Sequence, residues 1–390
     1  MKFKKIKTPI LLLSLICLFC GCQETPQEVT DRMGHYGENG QMASKERKHC
    51  SIDELKAAKL SEVNLQLDNI NLPEDVDFSD IESIALLKLS FEENYTEQKE
   101  EALELFGIEE ESLVDTFDAE NMGRTVIYDS SAHAKYLAVG ENGFVSFVGG
   151  LTYDYINDKA KYQDTPEKYD LDVDDISGKM VELKEGKTEI AAVRETAEQW
   201  LDDNMPMEGC GYRISDVYVR ELDCSGKQRK QLSFYAEIWC QGLRFNSCAS
   251  RMSGVGSQMD FFTQGIQLNY DGMDALSFFS NKVGKIHIDS REEVDEVIDL
   301  QSAIRLMNEE MSGFRELNIS KILPMYVLFP IYETDEELYG APGQKLEGRP
   351  VYAFIIKEGV DDTEFGINKG NTTRTIFVDM ITGEVTTDIG

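Results

Sequence analysis

The chain has 390 residues, with 39 Lys and Arg against 72 Asp and Glu, a formal net charge of −33 at pH 7. A surface this acidic repels phosphate backbones, so the composition excludes nucleic-acid binding. Hydrophobic residues make up 41% of the chain, with 16 Tyr and 19 Phe, which is enough for packed cores in two or three domains.

The first 21 residues have the pattern of an export signal. An apolar run over residues 9–19 is too short to span a bilayer as a helix, which takes about 20 residues. A basic segment precedes the run and contains Lys2, Lys4, Lys5 and Lys7. This order is typical of a cleaved secretory signal, so residues 1–21 are set apart from the fold.

The signal ends in Cys20-Gly21-Cys22, which resembles the lipobox of bacterial lipoproteins. The resemblance implies that Gly21 ends the signal and that Cys22 becomes the lipid-modified first residue of the mature chain. Phe19 stands where Leu is usual and Cys20 where a small residue is usual. The alternative is an ordinary cleaved signal with an incidental Cys22. A lipobox implies palmitate-type modification and a location on the extracytoplasmic face of the cell membrane.

Residues 22–60 are interpreted as the lipid anchor and a flexible tether. They are polar, rich in Gly, Gln and Glu, and show no apolar period.

Residues 61–187 are interpreted as a first α+β unit. Its helix is expected to begin at Thr96 as N-cap and to end at Gly107. Strands are expected over residues 124–128, 135–139 and 144–148, the last two joined by an Asn-Gly hairpin turn. An acidic link over residues 157–187 would close the unit.

The same order of elements is expected twice more, in a second unit over residues 188–285 and a third over residues 286–390. The second helix follows Glu189, with strands over 212–222, 232–239, 259–270 and 275–279. The third unit opens with a turn capped by Ser290 and a helix from residue 299, with strands over 322–331, 351–356 and 374–380.

The end of the chain, Val378-Asp379-Met380-Ile381-Thr382-Gly383-Glu384-Val385, resembles the closing strand and turn of PepSY-type modules. Related arrangements occur in extracytoplasmic regulators of the YycH/YycI type and in clostridial lipoproteins of unknown function. The resemblance implies a binding, inhibitory or regulatory module with no catalytic residue. Read by itself, the segment predicts a structural β-turn, with Gly383 at positive φ and with Asp379 and Thr382 bonding the local backbone.

Four cysteines close in sequence are candidates for disulfides: Cys210, Cys224, Cys240 and Cys248. They allow two bridges in three connectivities and leave Cys50 over. An exported protein permits such a clamp, and buried free thiols are the alternative. Their spacing lacks the paired knuckles of a zinc site.

No residue pattern predicts an enzyme, a metal or a cofactor. The acidic run at 170–175 lacks the Gly and Glu of a calcium-binding loop, and His133 and His287 stand alone. Nucleophile elbows, zinc-protease motifs and nucleotide loops do not occur. Aromatic pairs such as Phe278-Phe279 are interpreted as core residues.

The sequence therefore predicts an α+β protein of tandem helix-plus-antiparallel-sheet units, held outside the membrane by a lipid. Its expected function is the binding or modulation of another envelope protein or peptide, without enzymatic activity. A partner strand could add to an exposed sheet edge. The alternatives are a solute-binding lipoprotein of a transporter, expected to show two α/β lobes, and a cell-surface hydrolase.

Overall fold

A computed structural model describes residues 47–67, 70–119, 123–141, 143–172, 174–247, 266–281, 284–311, 317–331, 342–356 and 374–387. The predicted signal, Cys22 and Cys248 lie outside these residues.

The α-helices of the described residues are α1 Ile52–Lys56, α2 Tyr95–Phe106, α3 Gly150–Ile156, α4 Ile190–Asn204 and α5 Leu300–Glu310. Short 3-10 turns are formed by Leu60–Glu62, Glu110–Ser112 and Ser131–His133.

Strands predominate, as expected for an α+β fold with large sheets. The strands up to α4 are β1 His49–Ser51, β2 Ile70–Asn71, β3 Ala85–Phe91, β4 Leu113–Ala119, β5 Gly123–Ser130, β6 Lys135–Gly140, β7 Val145–Val148, β8 Lys161–Asp170, β9 Met180–Leu183 and β10 Gly186–Glu189. Those between α4 and α5 are β11 Cys210–Cys224, β12 Lys227–Cys240, β13 Leu243–Ser247, β14 Ile266–Tyr270, β15 Leu276–Asn281, β16 Ile286–Glu293 and β17 Glu296–Ile298. The last are β18 Leu317–Ile331, β19 Lys345–Ile356, β20 Arg374–Asp379 and β21 Val385–Thr387.

Strand pairing joins the parts of the chain into one network. β4 to β7 form an antiparallel meander whose last strand pairs with β15. β12 pairs with β11 along one edge, and with β14 and β13 along the other. β13 runs parallel to β18, and β18 continues through β19 to β20 and β21.

The core lies between this network and the long helices. Phe279 of β15 is fully buried and packs against Trp200 of α4, with ring centroids 4.9 Å apart. Phe106, at the end of α2, stacks on Phe147 of β7 at 4.4 Å. In α5, Ala303, Ile304 and Met307 are fully buried. The long helices α2, α4 and α5 therefore cover one face of the network, called here the inner face; the opposite face is the outer face.

Two helix starts differ from the prediction. Thr96 is not the N-cap of α2; Asn94 is, because its side chain accepts a hydrogen bond from the Glu97 N–H. Gly107 ends the helix at φ +60°, as predicted. Ser290 caps no helix, because residues 286–293 form strand β16 against β3. The α5 helix starts after Asp299, whose carboxylate accepts from the Ser302 N–H at 2.6 Å.

Two segments expected to lack structure are ordered. The predicted acidic link contains β8 and β9, and β8 pairs with β11. The charged residues of β8, Lys161, Asp164, Glu167, Lys168 and Asp170, concealed its strand pattern. The predicted tether boundary at residue 60 falls after β1 and α1: Ser51 and Glu54 form a capping box, and Leu55 is fully buried.

The tight turn between β12 and β13 generates a stability prediction. Gly242 lies at φ +81°, and a Cβ there would stand 1.8 Å from the Asp80 carbonyl oxygen. Gly226, at φ +84°, has open space around the same position. Gly226→Ala should lower the free energy of unfolding by about 1 kcal/mol, the cost of positive φ alone. Gly242→Ala should cost about 2 kcal/mol more, because the backbone must move. Urea denaturation of both variants tests this; equal losses would contradict the close approach.

Candidate functional site: the Arg349 groove

The candidate site is a groove where strand β19 changes partner. Its first part, Lys345 to Gly348, pairs with β3, and its second part, from Val351 onward, pairs with β20. Arg349 and Pro350 therefore stand at a fork between two neighbouring strands. The Pro350 carbonyl still accepts from the Met380 N–H at 2.9 Å, which fixes the end of β20 beside the fork.

The groove has a volume of about 430 Å³ and is formed by β18, β19, β20 and β21. Its apolar lining is Phe329, Pro330, Ile331 and Val351. Its polar lining is Glu347, Arg349, Asp379, Glu384 and Thr386. These nine residues define the Arg349 groove. Ile331 is 44% exposed, so apolar surface remains accessible at the mouth.

The guanidinium of Arg349 contacts all three carboxylates of the groove. Arg349 Nε donates to Glu347, and its Nη1 lies 3.6 Å from Glu384 Oε2 and 3.9 Å from Asp379 Oδ2. The guanidinium carbon stands 5.2 Å from the centre of the Phe329 ring, a cation–π contact. Three carboxylates thus face a single cation, and the groove keeps an excess of negative charge.

The turn after β20 holds one of these carboxylates in place. Asp379 Oδ1 accepts from the N–H groups of Ile381 and Thr382 at 2.8 and 2.7 Å. Thr382 Oγ1 accepts from the Glu384 N–H, and Gly383 adopts φ +71°. The predicted structural turn is confirmed. The same aspartate also turns its second oxygen toward Arg349, a role that the turn pattern did not reveal.

The structure brings two of the candidate cysteines together and places a third far from them. Cys210 and Cys240 stand opposite each other on β11 and β12, whereas Cys224 lies at the far end of β11. Cys248 is outside the described residues. Cys50 is half-buried on β1, where burial raises the pKa of its thiol to about 11.

The histidines and the acidic run have local partners. His287 Nε2 lies 2.9 Å from Glu92, and His133 Nδ1 lies 3.0 Å from Ser130 Oγ. In the acidic run, Asp170 Oδ1 accepts from the Asp172 N–H. Among the described residues no group of three side chains is arranged to hold a metal ion.

A second polar cluster lies beneath the start of α3. Gln231 donates to Asp271 Oδ1 at 2.9 Å and to Thr152 Oγ1 at 3.1 Å. Asp271 also accepts from the Ser277 hydroxyl and from the Leu151 N–H at 2.6 Å. Its carboxylate thus supplies the acceptor that the N-cap of α3, Gly149, lacks. This cluster is saturated by internal bonds and acts as a helix anchor.

The groove was missed by sequence reasoning, although a signal was present. Glu347, Arg349 and Val351 alternate with Leu346, Gly348 and Pro350, so the charges share one face of a strand. That pattern indicates a charged face of the strand, but it does not reveal which residues of other strands lie beside it.

No protein-family model matches the chain, and no curated protein matches it. Among solved structures, it is similar to an uncharacterized protein from Eubacterium rectale ATCC 33656, with 13% identity and a TM-score of 0.49 over 86% of this chain and 97% of that chain. In the part of the chain that the structure describes, no helix combines the length and apolar character needed to cross a membrane.

The buried carboxyl of Asp271 predicts a pH dependence. Burial raises its pKa above the ordinary 3.8, against the opposing effect of its hydrogen bonds. The folded state therefore holds this proton at pH values where the unfolded state has released it. The stability it contributes is present at low pH and is lost as pH rises from about 4 through the folded pKa.

Asp271→Asn removes this titration. Chemical denaturation from pH 4 to pH 7 should show the wild type losing stability relative to the variant, by about 1.4 kcal/mol for each unit by which the pKa is raised. The exposed Asp295→Asn controls for a surface charge change. A constant difference between wild type and Asp271→Asn across this range would refute the assignment.

Proposed function

We propose that this protein is a membrane-anchored extracytoplasmic lipoprotein without enzymatic activity, which binds a cationic peptide segment of another envelope protein in the Arg349 groove. The observation that carries the proposal is the composition of the groove: Glu347, Asp379 and Glu384 around one arginine, beside an apolar lining.

Charge complementarity selects the occupant. Three carboxylates against one guanidinium favour a ligand that brings positive charge, and the net charge of −33 attracts such a ligand from a distance. A Lys or Arg side chain suits the shape, because its stem packs on Phe329 and Ile331 while its charged end reaches Glu384. Glu384 is the most exposed of the three carboxylates, at 62% of its side chain.

The strand edge beside the groove favours a peptide over a small cation. Among the described residues, β21 pairs with β20 alone. Asp379 N–H donates to Glu384 O, so alternation along the ladder turns the backbone groups of Val385 away from β20. An extended peptide can pair with this edge, and alternate side chains then reach the groove.

The order of elements supports tandem units as the framework for this site. A long helix precedes each main group of antiparallel strands: α2 before β4–β7, α4 before β11–β15 and α5 before β18–β21. In each group the last two strands meet in a turn containing glycine, at Gly143, Gly272 and Gly383. The third of these turns carries the groove.

A lipid at Cys22 would complete the mechanism. Anchoring confines the protein to the membrane surface, which raises its effective concentration toward a partner in the same membrane. Even a weak interaction at the groove is then sufficient for binding.

Hydrolases also bring carboxylates together, so the carboxylates of the groove are compared with those of a glycoside hydrolase site. Glycoside hydrolases place two carboxylates about 5–10 Å apart on either side of the scissile bond. Here the carboxylates surround one guanidinium instead, and the lining residues include no His, Cys, Ser or Lys. The groove supports binding better than bond cleavage.

Removing one carboxylate tests the groove. The probe is a fluorescein-labelled hexapeptide of alternating Val and Lys, followed by fluorescence anisotropy. Glu384→Gln should weaken its binding about fivefold, and Glu384→Lys more than tenfold, because an attractive charge becomes repulsive. Glu111→Gln, an equal change at an exposed site on a different surface, should leave affinity within about twofold.

Two further arms identify the ligand class. A peptide of alternating Val and Glu should not bind, and N-acetyl-lysine amide at equal lysine concentration should not displace the probe. Equal binding of both peptides, or an equal loss of probe affinity in Glu111→Gln and Glu384→Gln, would contradict binding in the Arg349 groove.

The anchor is tested at Cys22. In bacterial cells expressing the full chain, Cys22→Ala should abolish incorporation of radiolabelled palmitate and prevent normal release of the signal. Cys20→Ala places a small residue where lipoboxes usually have one, so labelling should persist. Undiminished labelling of Cys22→Ala would point to the alternative of an ordinary signal.

A further inference from the structure

Cys210 and Cys240 form a directly opposed cross-strand pair. Cys210 is the first residue of β11 and Cys240 the last of β12, and the antiparallel register sets them as partners. Cys240 is 1% exposed and Cys210 is half-buried. The Cys240 thiol lies 3.6 Å from the Gly209 carbonyl oxygen, on the side of β11.

The backbone hydrogen bonds of Cys210 and Cys240 show whether they are a hydrogen-bonded or a non-hydrogen-bonded cross-strand pair. Gln241 and Gly242, at φ +54° and +81°, form a two-residue turn that pairs Cys240 with Leu243. In such a turn the flanking residues exchange backbone hydrogen bonds, so the N–H and C=O of Cys240 face β13. The Cys210 N–H agrees with this, because it donates to Met207 O at 3.1 Å.

The two cysteines are therefore a non-hydrogen-bonded pair, in which Cα atoms approach to about 4.5 Å. Disulfides span Cα separations of about 4.4–6.8 Å. The backbone geometry of β11 and β12 thus brings the two thiols within bonding reach without displacement of either strand.

The other cysteines of the described residues are not cross-strand partners of this pair. Cys224 ends the same 15-residue strand that Cys210 begins, so the two lie about 45 Å apart along it. Cys224 is equally remote from Cys240, which faces Cys210. Cys50 lies on β1, opposite Val297. Among the described cysteines, Cys210 and Cys240 are the two that face each other across paired strands.

We propose that Cys210 and Cys240 are a disulfide-forming pair, oxidised by thiol–disulfide exchange with a disulfide oxidant of the oxidoreductase or small-molecule class. The two thiols lose two protons and two electrons as the Cys210–Cys240 bond forms. The S–S bond of the oxidant breaks, and its two sulfur atoms take up these two electrons and two protons to become two thiols. The product is a covalent link between the start of β11 and the end of β12.

The surroundings favour this reaction. The hydrogen bond from the Cys210 thiol lowers the pKa of Cys240, and the Arg291 guanidinium adds to this effect against the opposing cost of burial. Arg291 is held beside the pair, where it donates to Glu208 O. A thiolate is the reacting form in disulfide exchange.

The bond would strengthen a junction of the fold. The Gln241-Gly242 turn that follows Cys240 accepts a bond from the Glu82 N–H, and Tyr326 of β18 donates to Gln241 Oε1. A disulfide at Cys240 restrains this turn in the folded state and removes freedom from the unfolded chain.

Peptide mapping tests the proposal directly. The full chain is incubated with oxidised and reduced glutathione, remaining thiols are blocked with iodoacetamide in denaturant, and the protein is digested with trypsin without reduction. Each of the cysteines 210, 224, 240 and 248 falls in a different tryptic peptide: 195–213, 221–227, 231–244 and 245–251. The expected product is peptide 195–213 joined to peptide 231–244, two hydrogens lighter than their sum.

Matched variants give a second readout. Thermal unfolding of the oxidised wild type should have a midpoint several degrees higher than with a reductant present. Cys210→Ser and Cys240→Ser should abolish this dependence, and Cys224→Ser should keep it. Cross-linked peptides that pair either cysteine with Cys224 or Cys248, or alkylation of both thiols after oxidation, would overturn the proposal.

Discussion

The parallel pairing of β13 with β18 is the constraint on which the rest of the structure depends. It joins the strands that follow α4 to those that follow α5, with Phe245 opposite Tyr326 and Arg244 opposite Met325. The two rings stack at 5.4 Å inside the core, and the Tyr326 hydroxyl accepts from Ala85 N–H and donates to Gln241. Since side chains alternate along a strand, a one-residue shift in this register would move the buried side chains of the strand to the outer face and the outer ones into the core.

Because of this register, the side chains of β12, β13, β18 and β19 form one continuous outer surface. Arg244 pairs with Glu237 of β12 at 3.2 Å, and burial raises the pKa of that glutamate despite its partner. Beyond Arg244, the small apolar cluster of Met325, Val327 and Val351 leads to the groove. The outer face thus passes from a closed ion pair, through apolar residues, to a cluster where carboxylates outnumber cations. This gradient is why the groove, rather than the Glu237–Arg244 pair, has charge left for a ligand.

Local features of the fold were predictable because local chemistry dictates them. The helix end at Gly107, the start of α4 at Ile190 and the turn at Gly383 each depend on residues close in sequence. The charged strand β8 was missed, and the second half of β16 was mistaken for a capped turn, because partners distant in sequence, β11 and β3, stabilise them. The groove was beyond prediction for the same reason. Asp379 was recognised for its turn, but its meeting with Arg349 requires the change of partner along β19.

The central claim is that a basic peptide occupies the Arg349 groove and pairs with the edge of β21. Backbone hydrogen exchange of the wild-type protein, with and without the alternating Val and Lys peptide, tests it most directly. The account predicts slower exchange in Val385–Thr387 when the peptide is present, because outward-facing N–H groups gain partners, with little change in β4, a strand remote from the groove. Unchanged exchange at β21, or protection confined to another edge, would contradict it.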